Sequence, residues 1–224
     1  DKTSIFGGIV AANREIDLET AQMLKPIFLE IVMAPSFAPD ALELLCTKKN
    51  LRVLKVDMTK DNTVRKQYVS MNGGMLVQDR DINTKPVAAD QCVTELKPTA
   101  EQLADMEFAW KIVKHVKSNA IVVAKDGMTY GVGAGQMNRI GSAEIALKQA
   151  QNTLKEEGKD IMTEGLVLAS DGFFPFNDCV ALAAEYGIKA IVQPGGSIRD
   201  EDSIKLANEK GITMLFTGER HFKH

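Results

Sequence analysis

The sequence predicts an α/β fold with a mostly parallel sheet covered by helices, in two unequal subdomains. Three observations favour this fold. Short apolar runs rich in β-branched residues alternate with segments of helical periodicity, several helical segments end at a glycine, and no apolar run is long enough to span a membrane. The repeated order of strand, turn, helix, glycine and strand is typical of parallel strands joined by crossover helices.

The composition is that of a globular protein and excludes several functional classes. The 224 residues are 45% hydrophobic and 25% charged, which excludes a disordered tail, a collagen and a coiled coil. The net charge of −3 argues against nucleic acid as the main partner. The three cysteines are scattered, so we expect no disulfide framework, a reducing cytoplasmic location and no metal site of the zinc type. The chain begins without methionine, which suggests processing, truncation or a fragment.

The first part of the chain carries alternating helices and strands. We predict helices over 18–24 and 41–48, the second opened by Pro39, and strands over 28–33 and 51–56. The polar stretch 59–99 is predicted to be a connection with one strand, 75–78. A boundary at 65/66 would separate a first subdomain, 1–65, from a second, 66–224.

The second part opens with a capped helix and a hairpin. Thr99 and Gln102 form a capping box before a helix over 103–116, whose apolar stripe includes Trp110 as a core residue. Asp126-Gly127 predicts a tight turn between strands 120–124 and 128–132. The strands that follow are predicted at 166–169, 188–192 and 212–216, separated by helices that end near Gly158, Gly187 and Gly211.

Chemistry-bearing residues follow the strands, where ligands of open α/β sheets bind. After the strand 166–169 comes Ser-Asp-Gly-Phe-Phe-Pro-Phe-Asn-Asp, residues 170–178. One interpretation is a packed corner between strand and helix. The other is a wall on which a flat heterocycle stacks, with Asp178 accepting hydrogen bonds from its ring N–H groups.

Two later strands are also followed by candidate ligand groups. Gly195 and Gly196 would let backbone approach a ligand closely, or would simply form a turn capped by Ser197. The last strand is followed by a basic tail in which Arg220 is the residue we would choose to bind a phosphate, the alternative being a solvated, frayed terminus.

A glycine pattern at 131–135 is a weak match to a dinucleotide-binding turn. It lacks the final glycine, and a hairpin rather than the first strand of a βαβ unit precedes it. Asn119, at the start of a predicted strand, carries an amide that can both donate and accept.

Six segments in order, 4–11, 118–122, 133–139, 170–178, 193–200 and 216–224, closely resemble the C-terminal, transformylase part of the bifunctional AICAR transformylase/IMP cyclohydrolase family. The resemblance runs through the whole chain, which corresponds to less than half of the full-length enzyme. It implies formyl transfer from 10-formyltetrahydrofolate, as co-substrate, to the 5-amino group of 5-aminoimidazole-4-carboxamide ribonucleotide (AICAR), giving FAICAR in purine biosynthesis. It also implies a cytidine-deaminase-like three-layer α/β/α fold without zinc, a homodimer with sites between subunits and a potassium ion whose ligands the sequence does not identify.

The resemblance also implies roles for individual residues. Asn119 would lie beside the transferring formyl group as the catalytic residue. The AICAR site would include Phe6, Gly7, Glu30, Arg139, Phe173, Arg220 and Phe222. The folate site would include Ile140, Pro175, Asp178, Ser197 and Ile198.

Two departures from the family pattern matter. The family's catalytic Lys-His pair lies upstream of the segment that matches residue 1, and Lys114-His115 (expected mid-helix) and Lys223-His224 do not replace it. We therefore expect a chain that holds much of the ligand pocket but lacks the proton-transfer group and the cyclohydrolase domain. Asn177 also stands where relatives often carry arginine.

Three other hypotheses stay open at this point. The chain could be a binding module that holds nucleotide or folate without turnover. It could be an oxidoreductase that uses the glycine turn, or a structural homo-oligomer without a ligand. Titration with AICAR, a folate analogue and NAD(P) separates these hypotheses.

Overall fold

The computed structural model describes residues 4–57, 59, 65–83 and 85–224. The chain divides into two compact units, residues 1–80 and 81–224. The sequence-based boundary was drawn at 65/66, and the assignment of the two parts to transformylase subdomains stays a prediction.

The first unit contains a three-stranded parallel sheet with strands β1 (Gly8–Ala11), β2 (Leu29–Ala34) and β3 (Arg52–Lys55) in that order. Helix α1 (Leu18–Leu24) begins at Asp17, whose carboxylate accepts from the backbone N–H of Thr20, and α2 (Pro39–Cys46) begins at the predicted proline. The core combines buried side chains from the sheet and both helices, including Leu29, Val32, Ala21 and Leu45. Strand β1 was not predicted, because its four residues are too short to show a period.

A two-stranded hairpin completes the first unit and corrects the sequence analysis. Strands β4 (Lys66–Met71) and β5 (Gly74–Asp79) pair antiparallel, where the sequence predicted a single strand. All residues of both strands are exposed, so the period-2 alternation that identifies a half-buried strand is absent.

The second unit is built on a five-stranded sheet. Its strands are β6 (Ile121–Lys125), β7 (Met128–Gly133), β8 (Val167–Ser170), β9 (Ala190–Gln193) and β10 (Thr213–Phe216), in the spatial order β10-β9-β8-β6-β7. The pairs β10–β9 and β9–β8 are parallel, whereas β6 runs antiparallel to both β8 and β7. The sheet is therefore mixed. The predicted turn at Asp126-Gly127 is confirmed, and it reverses the chain between β6 and β7.

Helices cover both faces of this sheet. Helix α3 (Ala100–Val113) lies on one face, and α4 (Arg139–Glu156), α5 (Ile161–Glu164), α6 (Asp178–Glu185) and α7 (Asp200–Lys210) contribute to the core on the other. Alternate residues of β6 enter opposite cores: Ile121 faces α4, and Val122 faces α3. This is the predicted three-layer α/β/α arrangement. The Thr99–Gln102 capping box and the buried Trp110 are confirmed, as are Gly158, Gly187 and Gly211 at positive φ after their helices.

Helix α4 packs directly on the backbone of β7. A Cβ on Gly131 would lie 1.8 Å from the carbonyl oxygen of Ala146, and one on Gly133 would lie 1.8 Å from that of Ser142. Any side chain at either position would push the helix off the sheet. The glycine pattern at 131–135 therefore serves helix–strand packing at its first two glycines.

Candidate functional site

The polar segments singled out in the second unit meet at one edge of the five-stranded sheet. Gly133, Ile121 and Ser170 lie in register across β7, β6 and β8, and Gln193 pairs with Phe216 across β9 and β10. Since β6 is antiparallel to its neighbours, its beginning shares an edge with the carboxyl ends of the other four strands. At this edge segment 118–120 enters the sheet, and segments 133–139, 170–178, 193–200 and 216–224 leave it.

A buried ion pair organises this edge. Arg139, the first residue of α4, is 8% exposed and pairs through Nη1 with Oδ1 of the fully buried Asp171. The same Nη1 donates to Oγ of Ser170 at 2.9 Å. Because both acceptors lie at the end of strand β8, they fix the position of the Arg139 guanidinium relative to that strand.

Arg139 also orients the amide of Asn119. Its Nη2 donates to Oδ1 of Asn119 at 3.0 Å, and Nδ2 of Asn119 donates to the carbonyl oxygen of Gln136 at 2.9 Å. The amide thus both donates and accepts, as the sequence predicted, and one Nδ2 hydrogen has no acceptor among the residues that the structure describes. Asn119 is half-buried, and the peptide bond between Ser118 and Asn119 is cis.

Asp171 ties three segments together. Its Oδ1 also accepts from the backbone N–H of Ala120 at 3.1 Å, and its carbonyl oxygen accepts from the backbone N–H of His221 at 2.9 Å. Its second carboxylate oxygen, Oδ2, is buried and has no hydrogen-bond partner among the residues the structure describes. Sequence reasoning did not single out Asp171, because its role depends on partners distant in the chain.

The aromatic loop 173–176 divides its rings between core and surface. Phe174 is fully buried, Phe173 is half-buried and Phe176 is 50% exposed. The guanidinium of Arg220 lies over the ring of Phe173, 4.7 Å from its centroid. The packed-corner interpretation is correct for Phe174, and stacking of a heterocycle on the loop stays a prediction.

Gly172 lets Arg139 and Phe222 approach the loop that carries Phe173. A Cβ on Gly172 would lie 2.4 Å from Nη2 of Arg139 and 2.8 Å from the ring of Phe222. A Cβ on Gly196 would lie 3.7 Å from Nη2 of Arg220. The structure thus brings Asn119, Arg139, Phe173, Arg220 and Phe222 to one part of the sheet edge.

The residues expected to contact folate follow the same strands. Asp178 is exposed at the start of α6, where one carboxylate oxygen accepts from the N–H of Cys179 at 2.8 Å. Ile198 is fully exposed, and Ser197 is half-buried. Pro175 is exposed, and Ile140 is half-buried beside Arg139 on α4.

The loop before α7 is held by a carboxylate rather than by the predicted Ser197 cap. Oδ2 of Asp200 accepts from the N–H groups of Gly196 at 2.6 Å and Ser197 at 3.1 Å. Oγ of Ser197 accepts from the N–H of Arg199 at 3.1 Å, but Arg199 is itself the N-cap and makes no side-chain cap.

The C-terminal segment is anchored by a second polar cluster. His221 is 3% exposed, its Nδ1 lies 2.5 Å from Oδ2 of Asp81, and its ring packs on Trp110 at 4.6 Å between centroids. Burial raises the pKa of Asp81, but the hydrogen bond and charge of His221 and the charge of Lys114 outweigh it and lower the pKa overall. His221, Trp110 and Lys114 border a cavity of about 250 Å³.

Lys114 lies at the end of α3 rather than in mid-helix. It is the C-cap residue, so the Lys114-His115 dipeptide follows the last helical turn. Its Nζ lies 3.4 Å from Oδ1 of Asp81.

The first unit holds the remaining predicted residues. Phe6 is 78% exposed and its ring lies 4.9 Å from that of Phe28, while Gly7 has φ 71° and donates its N–H to the carbonyl oxygen of Phe28. Glu30 accepts from Arg52 at 2.8 Å beside a cavity of about 410 Å³.

The described residues offer few candidates for metal ligands or reactive thiols. No group of three or more His, Cys, Asp and Glu side chains within residues 4–57, 59, 65–83 and 85–224 could hold a metal ion. The three cysteines are free, and burial raises the pKa of the Cys179 thiol to about 12. Of the helices in the described residues, none is both long and apolar enough to cross a membrane.

The chain is similar to one protein family and to several curated relatives. Residues 1–149 match the model of the AICARFT/IMPCHase bienzyme family. The bifunctional purine biosynthesis protein PurH of Anoxybacillus flavithermus is 58% identical over all 224 residues, and that of Lactobacillus delbrueckii subsp. bulgaricus is 56% identical over 100% of the chain. The chain spans 42% of the length of each of these relatives.

A solved structure, a mutant of NE0047 in complex with 8-azaguanine, is 17% identical with a TM-score of 0.38. The likeness covers 50% of this chain and 75% of that chain.

Proposed function

Since the chain belongs to the AICARFT/IMPCHase bienzyme family, we propose that it is the ligand-binding C-terminal part of an AICAR formyltransferase in purine biosynthesis. The reaction would transfer the formyl group of 10-formyltetrahydrofolate to the 5-amino group of AICAR. The observation that carries the proposal is the convergence of Asn119, Arg139, Phe173 and Arg220 at one sheet edge. A cytoplasmic location is part of the same proposal.

Arg220 and Phe173 are suited to the nucleotide. The guanidinium is exposed and has no carboxylate within ion-pair distance among the described residues, so it keeps its capacity for a phosphate. Phe173 below it offers an apolar surface to the imidazole ring, and the ring of Phe222 lies close to Gly172.

Asn119 and Arg139 are suited to the developing charge. The AICAR amine is a weak nucleophile, and its attack on the formyl carbon breaks the carbonyl π bond and places negative charge on the formyl oxygen. The free Nδ2 hydrogen of Asn119 can donate to that oxygen. The hydrogen bond from Arg139 to Oδ1 polarises the amide and strengthens Nδ2 as a donor.

Proton transfer completes the reaction. The intermediate collapses as the bond to N10 of the folate breaks, N10 takes a proton, and the amine nitrogen loses one. The described residues around Asn119 offer no evident base, because Asp171 is already paired with Arg139. The resemblance assigns this role to a Lys-His pair that has no match within these 224 residues, so we expect residues 1–224 by themselves to bind without rapid turnover.

A potassium ion would fit one feature of the site. Oδ2 of Asp171 is a buried anionic oxygen without a partner among the described residues, and hard cations bind carboxylate and carbonyl oxygens. Such an ion would supply charge and rigidity, and Asp171 is the residue we expect to hold it.

A homodimer is the assembly we propose. The hairpin β4–β5 carries exposed apolar side chains on both faces, including Tyr68, Val77 and Leu76, and isolated two-stranded hairpins are marginal in water. Sedimentation that gives the mass of one chain at micromolar concentration would contradict this part of the proposal.

The test of the function is calorimetric titration with AICAR and its phosphate-free riboside. We expect the wild-type chain to bind AICAR. Arg220→Gln should weaken the affinity for AICAR by about tenfold or more and leave the affinity for the riboside unchanged. Absence of AICAR binding by the wild type would overturn the proposal, and NAD(P) binding instead would favour an oxidoreductase.

A further inference from the structure

A second arginine lies on the aromatic loop, and neither the sequence analysis nor the family resemblance assigned it a role. The guanidinium carbon of Arg199 is 5.0 Å from the centroid of Phe176. Arg220 occupies the equivalent position over Phe173, three residues earlier in the same loop. The two arginines come from the loops after neighbouring strands, β9 and β10, so the aromatic loop carries two cation–ring pairs.

The charge of Arg199 is not neutralised locally. Within the part of the chain that the structure describes, no carboxylate lies within ion-pair distance of its guanidinium. The nearest acid in sequence, Asp200, directs Oδ2 to the backbone N–H groups of Gly196 and Ser197. A cation at a helix N-terminus is also disfavoured by the helix dipole, so the stability of α7 does not explain an arginine here.

The surroundings of Arg199 are built to stay in place. The Asp200 carboxylate holds Gly196 and Ser197, and Ser197 Oγ holds the N–H of Arg199. Phe176 limits the directions open to the guanidinium. A planar fork fixed in this way suits an incoming carboxylate, because less side-chain freedom is lost on binding.

Resting on the proposed function, we propose that Arg199, supported by Phe176, binds the glutamate-tail carboxylates of the folate co-substrate. The reaction brings two anionic groups to one sheet edge, the ribose phosphate and the glutamate tail. Arg220 is proposed for the phosphate, which leaves Arg199 for the carboxylates. Arg199 also lies next to the residues proposed to contact folate, since it directly follows Ser197 and Ile198, and its partner Phe176 lies two residues before Asp178.

The test compares two ligands that differ only in these carboxylates. The 224-residue chain is titrated with 10-formylfolate and with its diamide, in which both glutamate carboxylates are carboxamides. We expect Arg199→Gln to weaken the affinity for 10-formylfolate by about tenfold and the affinity for the diamide by less than about twofold. Phe176→Leu should produce a smaller loss with the same selectivity. Lys205→Gln removes one positive charge from an exposed position of α7 and should affect neither ligand.

The outcomes separate this inference from the proposed function. An equal loss for both ligands in Arg199→Gln, or no loss for either, would overturn the assignment of Arg199 alone. A loss of AICAR rather than folate affinity would reassign Arg199 to the phosphate and overturn it as well. If the wild type binds neither folate ligand, the folate part of the proposed function is overturned, and the inference with it.

Discussion

Nη2 of Arg139 lies 3.0 Å from Oδ1 of Asn119, so a residue at the start of a helix fixes the amide at the start of a strand twenty positions earlier. The same guanidinium is paired with the buried Asp171. The orientation of the proposed catalytic amide therefore depends on a buried charge pair.

Loss of Arg139 should destabilise the fold. Arg139→Gln leaves the Asp171 carboxylate buried without its cation, and breaking a buried pair in this way costs about 3–5 kcal/mol. Arg52→Gln is the matched control, because its pair with Glu30 is exposed on both sides and such pairs contribute about 0–1 kcal/mol. Urea unfolding measures both. Similar losses for the two variants would contradict the central role of the buried pair.

Gly131 should tolerate no side chain. In Gly131→Ala the new Cβ would overlap the Ala146 carbonyl oxygen, so α4 must move away from β7, at a cost of about 3 kcal/mol or more. Gly74→Ala is the control, since its Cβ would meet nothing within 4 Å and its φ is not positive. Equal thermal unfolding midpoints for the two variants would show that the helix does not pack as described.

The free energy of unfolding at acidic pH should depend on Asp81. Its pKa in the folded protein is lowered from 3.8, so the carboxylate contributes stability that is present above that value and lost as pH falls through the folded pKa. Asp81→Asn should therefore flatten the dependence of the unfolding free energy on pH below about pH 4. Urea titrations at several acidic pH values test this. A variant that keeps the wild-type slope would assign the acid sensitivity to other carboxylates.

The cysteines should differ in reactivity. Burial raises the pKa of Cys179 to about 12, and the thiolate is the nucleophile, whereas Cys46 is exposed. At pH 8, iodoacetamide should modify Cys46 and leave Cys179 unmodified until urea unfolds the chain. Peptide mass spectrometry measures both sites. Rapid modification of Cys179 in the native protein would show that this part of the core opens readily.

Turnover by residues 1–224 alone should be slow. Asn119 and Arg139 can orient and stabilise the reacting atoms, but the 224 residues hold no match to the Lys-His pair, and catalysis without a general acid–base group is typically slower by about 10²–10⁴. A single-turnover measurement with excess chain, AICAR and 10-formyltetrahydrofolate follows the formation of FAICAR. A rate equal to that of a relative with the Lys-His pair would show that the pair is not needed.

Local patterns predicted most of the regular structure. The capping box at Thr99, the turn at Asp126-Gly127 and the glycines after the helices depend on neighbouring residues, so they can be found in one sequence. The hairpin strand β4 could not be found in this way, because both of its faces are exposed and no alternation marks it.

The sequence by itself determined the α/β class, the positions of most elements and the family, through motifs whose residues lie close together in the chain. Only the tertiary structure decided that the sheet is mixed, that Asp171 joins Arg139, and that Arg199 lies over Phe176. These relationships join residues far apart in sequence, and their partners are chosen by the packing of strands and loops at the sheet edge. Periodicity carries no information about such partners, because it reports which face of an element is buried and not what that face meets.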